Sequence, residues 1–276
     1  MNRIKLFRDQ IRSTNIDDSI ILDVIPRNEF FDVTTINLKI VKDTELLLEY
    51  NTKRPVKLNI KIEVDKDVNF TLKEYRYGTN FKVQYLYYLK ENSNSKVYKF
   101  YDVSGIKEMS IIYLQEKNAN IDYFFKTIAT GCEKYSMRIY HNAPNTNSNI
   151  NNGGVNVLNG NLSFSISSFV NEGNKECDVY QNSRIINLTE NKCQIYPNLF
   201  IDEYNVNANH AANIGTFDES DIFYLMSRGI SRENAVNMLI NGYMIKDMPE
   251  YFINRIKRNL IKYRGWLNWI EKILIY

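Results

Sequence analysis

The stretch 56–64 reads VKLNIKIEV, and its apolar residues alternate with polar ones from end to end. A period of two puts every apolar side chain on one face of an extended strand, so one face is buried and the other is solvated. Similar alternations recur at 36–40, 68–72, 162–166 and 193–201, separated by clusters of Asn, Asp, Lys and Gly. The sequence therefore predicts many short strands between about residues 31 and 210.

This β-rich region is too long for a small sandwich. Helical patterns are almost absent from it, and its length suits a large sandwich, a barrel or a β-solenoid. No fixed-period motif repeats, so the pattern leaves these three architectures open. Pro197 interrupts the last alternation and has no N–H to donate, which predicts an edge strand or a corner. The Asn- and Gly-rich residues 142–160 are expected to form a loop, either a solvated connection or a functional one.

The two ends of the chain have helical spacing. Near the start, apolar residues lie three and four apart, at Ile4, Phe7 and Ile11, which predicts a short amphipathic helix. The expected organisation is a short N-terminal helix/strand lead-in at 1–30, a β core at 31–213 and a C-terminal helical domain at 214–276.

Capping signals divide the C-terminal region into helices. Thr216 and Glu219 have the spacing of a capping box, and Ser231 is expected to cap a second helix. Gly229 and Gly242 are expected helix stops, and Pro249 is expected in the first turn of a third helix. A last apolar segment follows residue 265 and holds both tryptophans, Trp266 and Trp269.

Composition excludes several classes of protein. The 276 residues carry 35 basic and 32 acidic side chains, and a net charge of +3 is too balanced to predict nucleic-acid or membrane binding. The N-terminus has no apolar signal-peptide region, and no apolar run is long enough to span a membrane. Three widely spaced cysteines fit a reducing cytoplasm. The common catalytic and nucleotide-binding motifs are missing, so no enzyme is predicted.

Few residues are candidates for metal or thiol chemistry. His210, in a small polar stretch at the β-to-helix junction, is either a metal or cluster ligand or a histidine satisfied by backbone carbonyls. Cys193 shares the parity of the apolar residues of its strand, so a buried inert thiol is the alternative to a ligand. Cys177 follows two charged residues and is expected to be exposed, whereas Cys132 is open to either environment.

The residues around His210 resemble a known family. The sequence NHAANIGTFDE at 209–219, followed by FYLMSRGI at 223–230, is similar to the C-terminal signature of the SufB/SufD family of iron–sulfur cluster assembly. YQNSR at 180–184, with PNL at 197–199, resembles a second stretch of that family. The resemblance covers roughly residues 140–245 and is closer to SufD than to SufB.

This resemblance implies a right-handed parallel β-helix with a small α-helical C-terminal domain. It further implies a non-enzymatic cytoplasmic scaffold that holds an iron–sulfur cluster or iron transiently. Such a subunit pairs through its last strands with a SufB-like subunit or with a second copy of itself, and its helices dock a SufC-like ABC-type ATPase. The docking surface would lie in 216–244 and include Phe217, Phe223, Tyr224, Arg228, Gly229 and Ile230.

This sequence matches only some of the site residues of the SufB/SufD family. His210 falls on the SufD-like histidine implicated in cluster or iron binding, but Ala211 follows it where SufD-like chains have Gly and SufB-like chains have Glu. Asn182 stands where SufB-like chains carry their principal cysteine, and Cys193 lies near another cysteine position. A partner that has lost its ligands but still docks the ATPase is therefore an alternative. A β-solenoid acting on polysaccharide is another, although it would need a secretory signal and a row of Asp and Arg.

Overall fold

The protein folds as a β-solenoid of about seven turns followed by three helices. The computed structural model describes residues 1–7, 10–29, 32–52 and 54–263. It confirms the predicted mainly β fold with a helical C-terminal region and selects the solenoid from the three architectures. The strands are β1 (Asn2–Phe7), β2 (Gln10–Asn15), β3 (Ile20–Ile25), β4 (Thr34–Ile40), β5 (Thr44–Thr52), β6 (Val56–Val64), β7 (Asn69–Leu89), β8 (Asn94–Leu114), β9 (Asn120–Ala129), β10 (Cys132–His141), β11 (Asn147–Asn156), β12 (Asn161–Val170), β13 (Cys177–Asn187), β14 (Gln194–Ile201) and β15 (Val206–Gly215). The helices are α1 (Glu219–Ser227), α2 (Arg232–Ile245) and α3 (Glu250–Ile261).

Each coil of the solenoid has two sides. The first side stacks β1, β5, the first halves of β7 and β8, then β9, β11, β13 and β15. The second side stacks β4, β6, the second halves of β7 and β8, then β10, β12 and β14. Every one of these pairings is parallel, so each coil places equivalent side chains directly above those of the coil before it.

One corner of the solenoid is built from residues with left-handed backbone. The backbone N–H of each corner residue donates to a carbonyl of the following coil, as from Asn92 to Lys117 at 3.0 Å. Asn and Asp tolerate positive φ better than other side chains, which explains the polar clusters between the strands. The five corner residues are Asp67, Asn92, Asn118, Asn145 and Glu176, with φ between 54° and 60°.

The interior of the solenoid is apolar over most of its length. In β6 every second residue from Val56 to Val64 is buried, as the alternation predicts. A charged cluster interrupts this core: the side chains of Glu74, Arg76 and Lys99 are fully buried, and Glu108 is nearly so. Lys99 Nζ lies 2.9 Å from Glu108 Oε1 and 3.4 Å from Glu74 Oε2, so the two cations and two carboxylates neutralise each other.

The predicted N-terminal helix is wrong. Residues 2–7 form β1, which pairs in parallel with β5, and β2 pairs with β1 in the antiparallel direction. Ile4 and Leu6 both enter the core at a period of two, whereas Phe7 is 36% exposed, so strand pairing overrides the helical spacing. β3 pairs antiparallel with β4 on the other side, so β2 and β3 cover the first coil of the solenoid.

The expected loop at 142–160 is also wrong in its centre. Residues 147–156 form β11, which pairs with both β9 and β13. Asn149 and Asn151 lie half-buried on the outer face, where Asn151 Nδ2 donates to Asn149 Oδ1 at 2.9 Å, whereas Asn152 and Asn156 are buried. Gly154 faces the packed interior, where an added Cβ would lie 2.2 Å from Leu162. The polar and small composition therefore reflects a solvated face and close packing, not a loop.

The helix boundaries match the capping signals in part. Ser231 caps α2 by accepting from the N–H of Asn234, and Pro249 lies at the N-cap of α3. The capping box at Thr216 is wrong, because α1 begins at Glu219 and its N-cap is Asp218, which makes no side-chain capping bond. Gly242 does not end α2, because Ile240 and Met244 are both buried on the solenoid and keep the helix regular through Ile245.

α2 and α3 pack along the first side of the solenoid. Their apolar residues, including Met244, Phe252 and Ile256, share one cluster with Phe100 and Val155 of the strands. The predicted apolar segment after residue 265 lies outside the described residues. In the described part of the chain, no helix has the length and apolar character needed to cross a membrane.

Polar contacts add to this attachment. The Tyr243 hydroxyl donates to the backbone carbonyl of Arg184. Tyr251 and Arg255 both donate to Glu49 Oε1, at 2.8 and 2.6 Å. The helical segment is therefore fixed to coils at both ends of the solenoid.

Candidate functional site

The last coil leaves one end of the solenoid open. Within the described residues, β14 pairs with β12 alone and β15 with β13 alone, so each has a free edge. Side chains of the last coil stay accessible as a result: Phe200 is 52% exposed and Ile214 is 43% exposed. Pro197 lies in β14, which confirms the predicted edge strand.

His210 points into this open end. His210 pairs in register with Gln181 of β13, which in turn pairs with Ile150 of β11, and the side chains of Gln181 and Ile150 are buried in the interior. His210 is exposed, since no further coil among the described residues covers it. Gln181 Nε2 donates to Ser168 Oγ at 2.7 Å, while Gln181 Oε1 is buried without a partner among the described residues. An exposed imidazole next to an unpaired amide oxygen is an arrangement that accepts a cation or a proton donor.

Cys193 also faces the interior of the last coil, at a different level. It immediately precedes β14 and packs against the main core, and burial raises the pKa of its thiol. The two positions can be compared by counting from the turn that joins β14 to β15. Cys193 lies eight residues before the end of β14 at Ile201, and His210 lies four residues after the start of β15 at Val206. The difference of four residues separates their levels by about 13 Å along the strands. The two predicted ligands therefore share the open end without meeting at one point.

The remaining thiols and the other histidine have structural environments. Cys177 is fully buried against backbone carbonyls, so its predicted exposure is wrong. The reason is that Cys177 begins β13 with its side chain directed inward, although charged residues precede it. Cys132 is exposed. His141 is buried between Thr146 Oγ1 at 2.8 Å and Ser148 Oγ at 2.9 Å, and burial lowers its pKa to about 4.

The two departures from the SufB-like pattern lie on the outer face. Asn182 and Ala211 pair in register on β13 and β15, with side chains that point away from the interior. Asn182 Nδ2 donates to Asn151 Oδ1 at 3.3 Å and so extends a short asparagine row. In the part of the chain that the structure describes, no group of three or more His, Cys, Asp or Glu residues could hold a metal ion.

The predicted docking residues are mostly accessible. Phe223 and Tyr224 of α1 are 61% and 60% exposed, and the Arg228 guanidinium lies 5.4 Å from the Tyr224 ring centroid. Phe217 differs, because it is half-buried against the cluster beneath α2. Gly229 and Ile230 form the turn after α1.

The sequence SRGI is a Schellman turn that ends α1. Gly229 has φ of +81°, its N–H donates to the carbonyl of Met226, and the N–H of Ile230 donates to the carbonyl of Leu225. This bond pattern satisfies the last carbonyls of the helix and requires left-handed backbone at Gly229. The predicted stop at Gly229 is therefore confirmed. The aromatic residues of α1 lie on a short helix whose C-terminus is capped by this turn.

One surface feature was missed from the sequence. Lys57, Lys82, Lys107 and Lys134 stand in one exposed column on the second side, each paired in register with the next. They lie 25, 25 and 27 residues apart, so a search for near-equal spacing of one residue type could have found them. The column lies on a different face from the helices.

Comparison with known proteins assigns the family. A sequence profile described as "SUF system FeS cluster assembly, SufBD core domain" matches residues 87–243, which is more than half of the chain. The chain therefore belongs to the SufBD family of the SUF iron–sulfur cluster assembly system. This agrees with the resemblance found in the sequence, and SufBD family proteins of this system take part in cluster assembly.

Individual relatives match over shorter segments. The chain is 36% identical over 93 residues to the iron–sulfur cluster assembly protein SufD of Bacillus subtilis, which is 33% of this chain and 21% of that protein. It is 31% identical over 135 residues to a SufBD family protein of Staphylococcus haemolyticus, covering 46% of this chain and 28% of the relative. A SufBD family protein of Archaeoglobus fulgidus is 44% identical over 59 residues, 20% of this chain and 16% of the relative. The chain thus matches less than a third of the length of these relatives.

Proposed function

We propose that this protein is a non-enzymatic scaffold subunit of a cytoplasmic SUF-type complex. It pairs through the last coil of the solenoid with a second SufB/SufD-like subunit, and it docks an ABC-type ATPase through α1 and α2. The observation that carries this proposal is the open end of the solenoid, where β14 and β15 keep free edges and interior side chains remain uncovered.

A free strand edge is an incomplete structure that favours pairing. Unpaired N–H and C=O groups along β14 and β15 provide main-chain hydrogen bonds for strands of another subunit. Aromatic stacking continues to the same edge: Phe200 stacks on Phe169 with ring centroids 4.8 Å apart, and its other face is open. A second copy and a SufB-like subunit both satisfy this requirement, so the proposal includes either partner.

The proposed ATPase contact lies on α1 and the turn after it. Phe223, Tyr224 and Met226 are exposed at 61%, 60% and 37%, an apolar surface that is unusual for a short surface helix. Arg228 adds a cation at the edge of this surface. Aromatic residues and Arg are the types most enriched at the energetic centres of protein interfaces.

The iron–sulfur cluster is treated as cargo in this proposal. His210 would supply one ligand at the face where two subunits meet, with the remaining ligands coming from the partner. Imidazole nitrogen suits iron, and the orientation of His210 into the open end supports this role. The alternative is a structural partner that pairs and docks without binding cargo, which Asn182 and Ala211 favour.

Two interface variants test pairing and docking separately. The chain is co-expressed anaerobically with the ATPase subunit from the same source, and the mass of the purified complex is measured by light scattering. Phe200→Asp is expected to halve the number of solenoid subunits while ATPase binding persists. Phe223→Asp is expected to release the ATPase while pairing persists. Absence of any complex with the unmodified chain would contradict the docking proposal, and equal loss of both contacts in each variant would contradict their separation.

His210→Ala tests the cargo role in the same complex. The purified complex is supplied with ferrous iron and sulfide under anaerobic conditions, and bound iron and visible absorption are measured. Loss of bound iron with an unchanged mass would support His210 as a ligand. Equal iron content in both proteins would favour the ligand-deficient partner instead.

A further inference from the structure

A groove runs along the second side of the solenoid, away from the helices and the open end. It has a volume of about 720 Å³, and the lysine column forms one wall of it. An adjoining groove of about 410 Å³ shares Lys57, Lys82 and Lys107 with it. The two form one continuous surface across four coils.

The charge of this groove is largely uncompensated. Lys57 pairs with Asp32, whereas Lys82, Lys107 and Lys134 have no carboxylate within ion-pair distance among the described residues. The other acidic residue of the lining, Glu108, is turned inward to Lys99 and is 6% exposed. Like charges stacked one coil apart repel each other, so an anionic ligand would relieve that repulsion.

The spacing of the column discriminates between anionic ligands. Neighbouring strands lie about 4.8 Å apart, so four lysines span about 14 Å. Acidic residues on one face of an α-helix at i, i+3, i+7 and i+10 span about 15 Å, because each residue rises about 1.5 Å. Four same-face residues of an extended strand span about 20 Å. A helix therefore matches the column, and a strand does not.

The rest of the lining also favours a helix over nucleic acid. Met109 is 36% exposed beside the lysines, and a flexible thioether is suited to an apolar residue of an incoming helix. Single-stranded nucleic acid needs exposed aromatic rings on which its bases stack. The described lining of the larger groove contains none, and Phe81 in the lining of the adjoining groove is 4% exposed. We propose that this groove binds an acidic amphipathic helix of a partner protein, with a carboxylate stripe on the lysine column and an apolar residue on Met109.

The test uses a synthetic probe and the full chain. The probe is a fluorescein-labelled helical peptide with glutamates at i, i+3, i+7 and i+10 and a leucine beside that stripe. Its control has the same composition with the glutamates spread around the helix. Binding is measured by fluorescence anisotropy. The unmodified chain is expected to bind the striped peptide at least about tenfold more tightly than the control peptide.

Charge reversal locates the binding surface. Lys82→Glu/Lys107→Glu is expected to weaken binding of the striped peptide by at least about tenfold. Lys96→Glu/Lys117→Glu makes the same change of net charge at exposed positions outside the groove and is expected to leave binding unchanged. Equal losses in both variants, equal affinity for both peptides, or no binding would overturn the proposal. Tighter binding of an oligo-dT strand than of the striped peptide would overturn it in favour of nucleic acid.

Discussion

Replacing Lys99 by Met is expected to destabilise the protein strongly. Lys99 is fully buried, and its ammonium contacts both Glu108 and Glu74. Burial alone would lower the pKa of Lys99, but these two carboxylates hold that pKa above its usual value, so Lys99 is charged in the folded protein. Met has a similar volume and no charge. The change therefore removes one of two cations that balance two buried carboxylates.

The magnitude follows from what remains around each carboxylate. Glu74 keeps Arg76 and the Tyr85 hydroxyl, at 2.6 Å from Glu74 Oε2, so its charge stays compensated. Glu108 keeps only neutral donors, the Tyr101 hydroxyl at 2.9 Å and Ser110 at 3.4 Å. Leaving one buried charge without its partner costs about 3–5 kcal/mol. Lys99→Met/Glu108→Gln removes that charge and is expected to recover about 2 kcal/mol of the loss.

Urea unfolding followed by circular dichroism at pH 7 measures these differences. Lys96→Met is the matched control, because Lys96 is exposed on the same strand and is expected to change stability by less than about 0.5 kcal/mol. A loss below about 1 kcal/mol for Lys99→Met would refute the argument that the cluster is charged and dry. A double variant no more stable than Lys99→Met would show that packing, not charge, explains the loss.

Three further substitutions test other parts of the fold. Gly78→Ala is expected to cost more than about 3 kcal/mol in urea unfolding, because φ is +137° and the added Cβ would lie 1.7 Å from the Thr52 carbonyl oxygen. Gly242→Ala should instead raise the free energy of unfolding by about 0.5–1 kcal/mol, since Gly242 is helical and an added Cβ would meet no atom within 4 Å. A lower free energy of unfolding would contradict this. Burial raises the pKa of Glu133 to about 8, against about 4.3 in an unfolded chain. As pH rises the unfolded chain loses this proton first, so the free energy of unfolding falls between those two pH values. Glu133→Gln should reduce that fall. If the urea midpoint changes equally between pH 5 and pH 8 in the variant and in the unmodified protein, the prediction is contradicted.

The strands were predictable from sequence because their periodicity is local. The alternation in 56–64 requires only the residues of that strand, and it gave the correct buried face. The solenoid was not predictable from a repeat, because its coils differ in length. Stacked outer aromatic residues at Tyr88, Tyr113, Tyr140, Phe169 and Phe200 lie 25, 27, 29 and 31 residues apart. Longer connections absorb the extra residues, so the stacking is regular while the sequence period drifts.

The sequence indicated which residue belongs to the candidate site, but not the direction of its side chain. The stretch around His210 indicated the family, whereas the direction of its side chain follows from the register with Gln181, which involves residues far apart in sequence. Capping at Ser231 was local and correct. The prediction of a cap at Thr216 was wrong: β15 pairs with β13 as far as Gly215, and α1 begins only at Glu219. That boundary depends on strand pairing between residues far apart in sequence, which no short motif contains.

The two ends of the solenoid differ in the direction of their edge strands. At the first coil, β2 and β3 occupy the edges of β1 and β4 on which a further parallel coil would add. A head-to-tail contact that continued the solenoid from one molecule to the next would generate an open fibre. Such a contact would place β14 or β15 against β2 or β3, which among the described residues pair only with β1 and β4 and run antiparallel to them. The parallel stacking of the solenoid therefore could not continue through that contact, because β2 and β3 reverse the strand direction at the first coil.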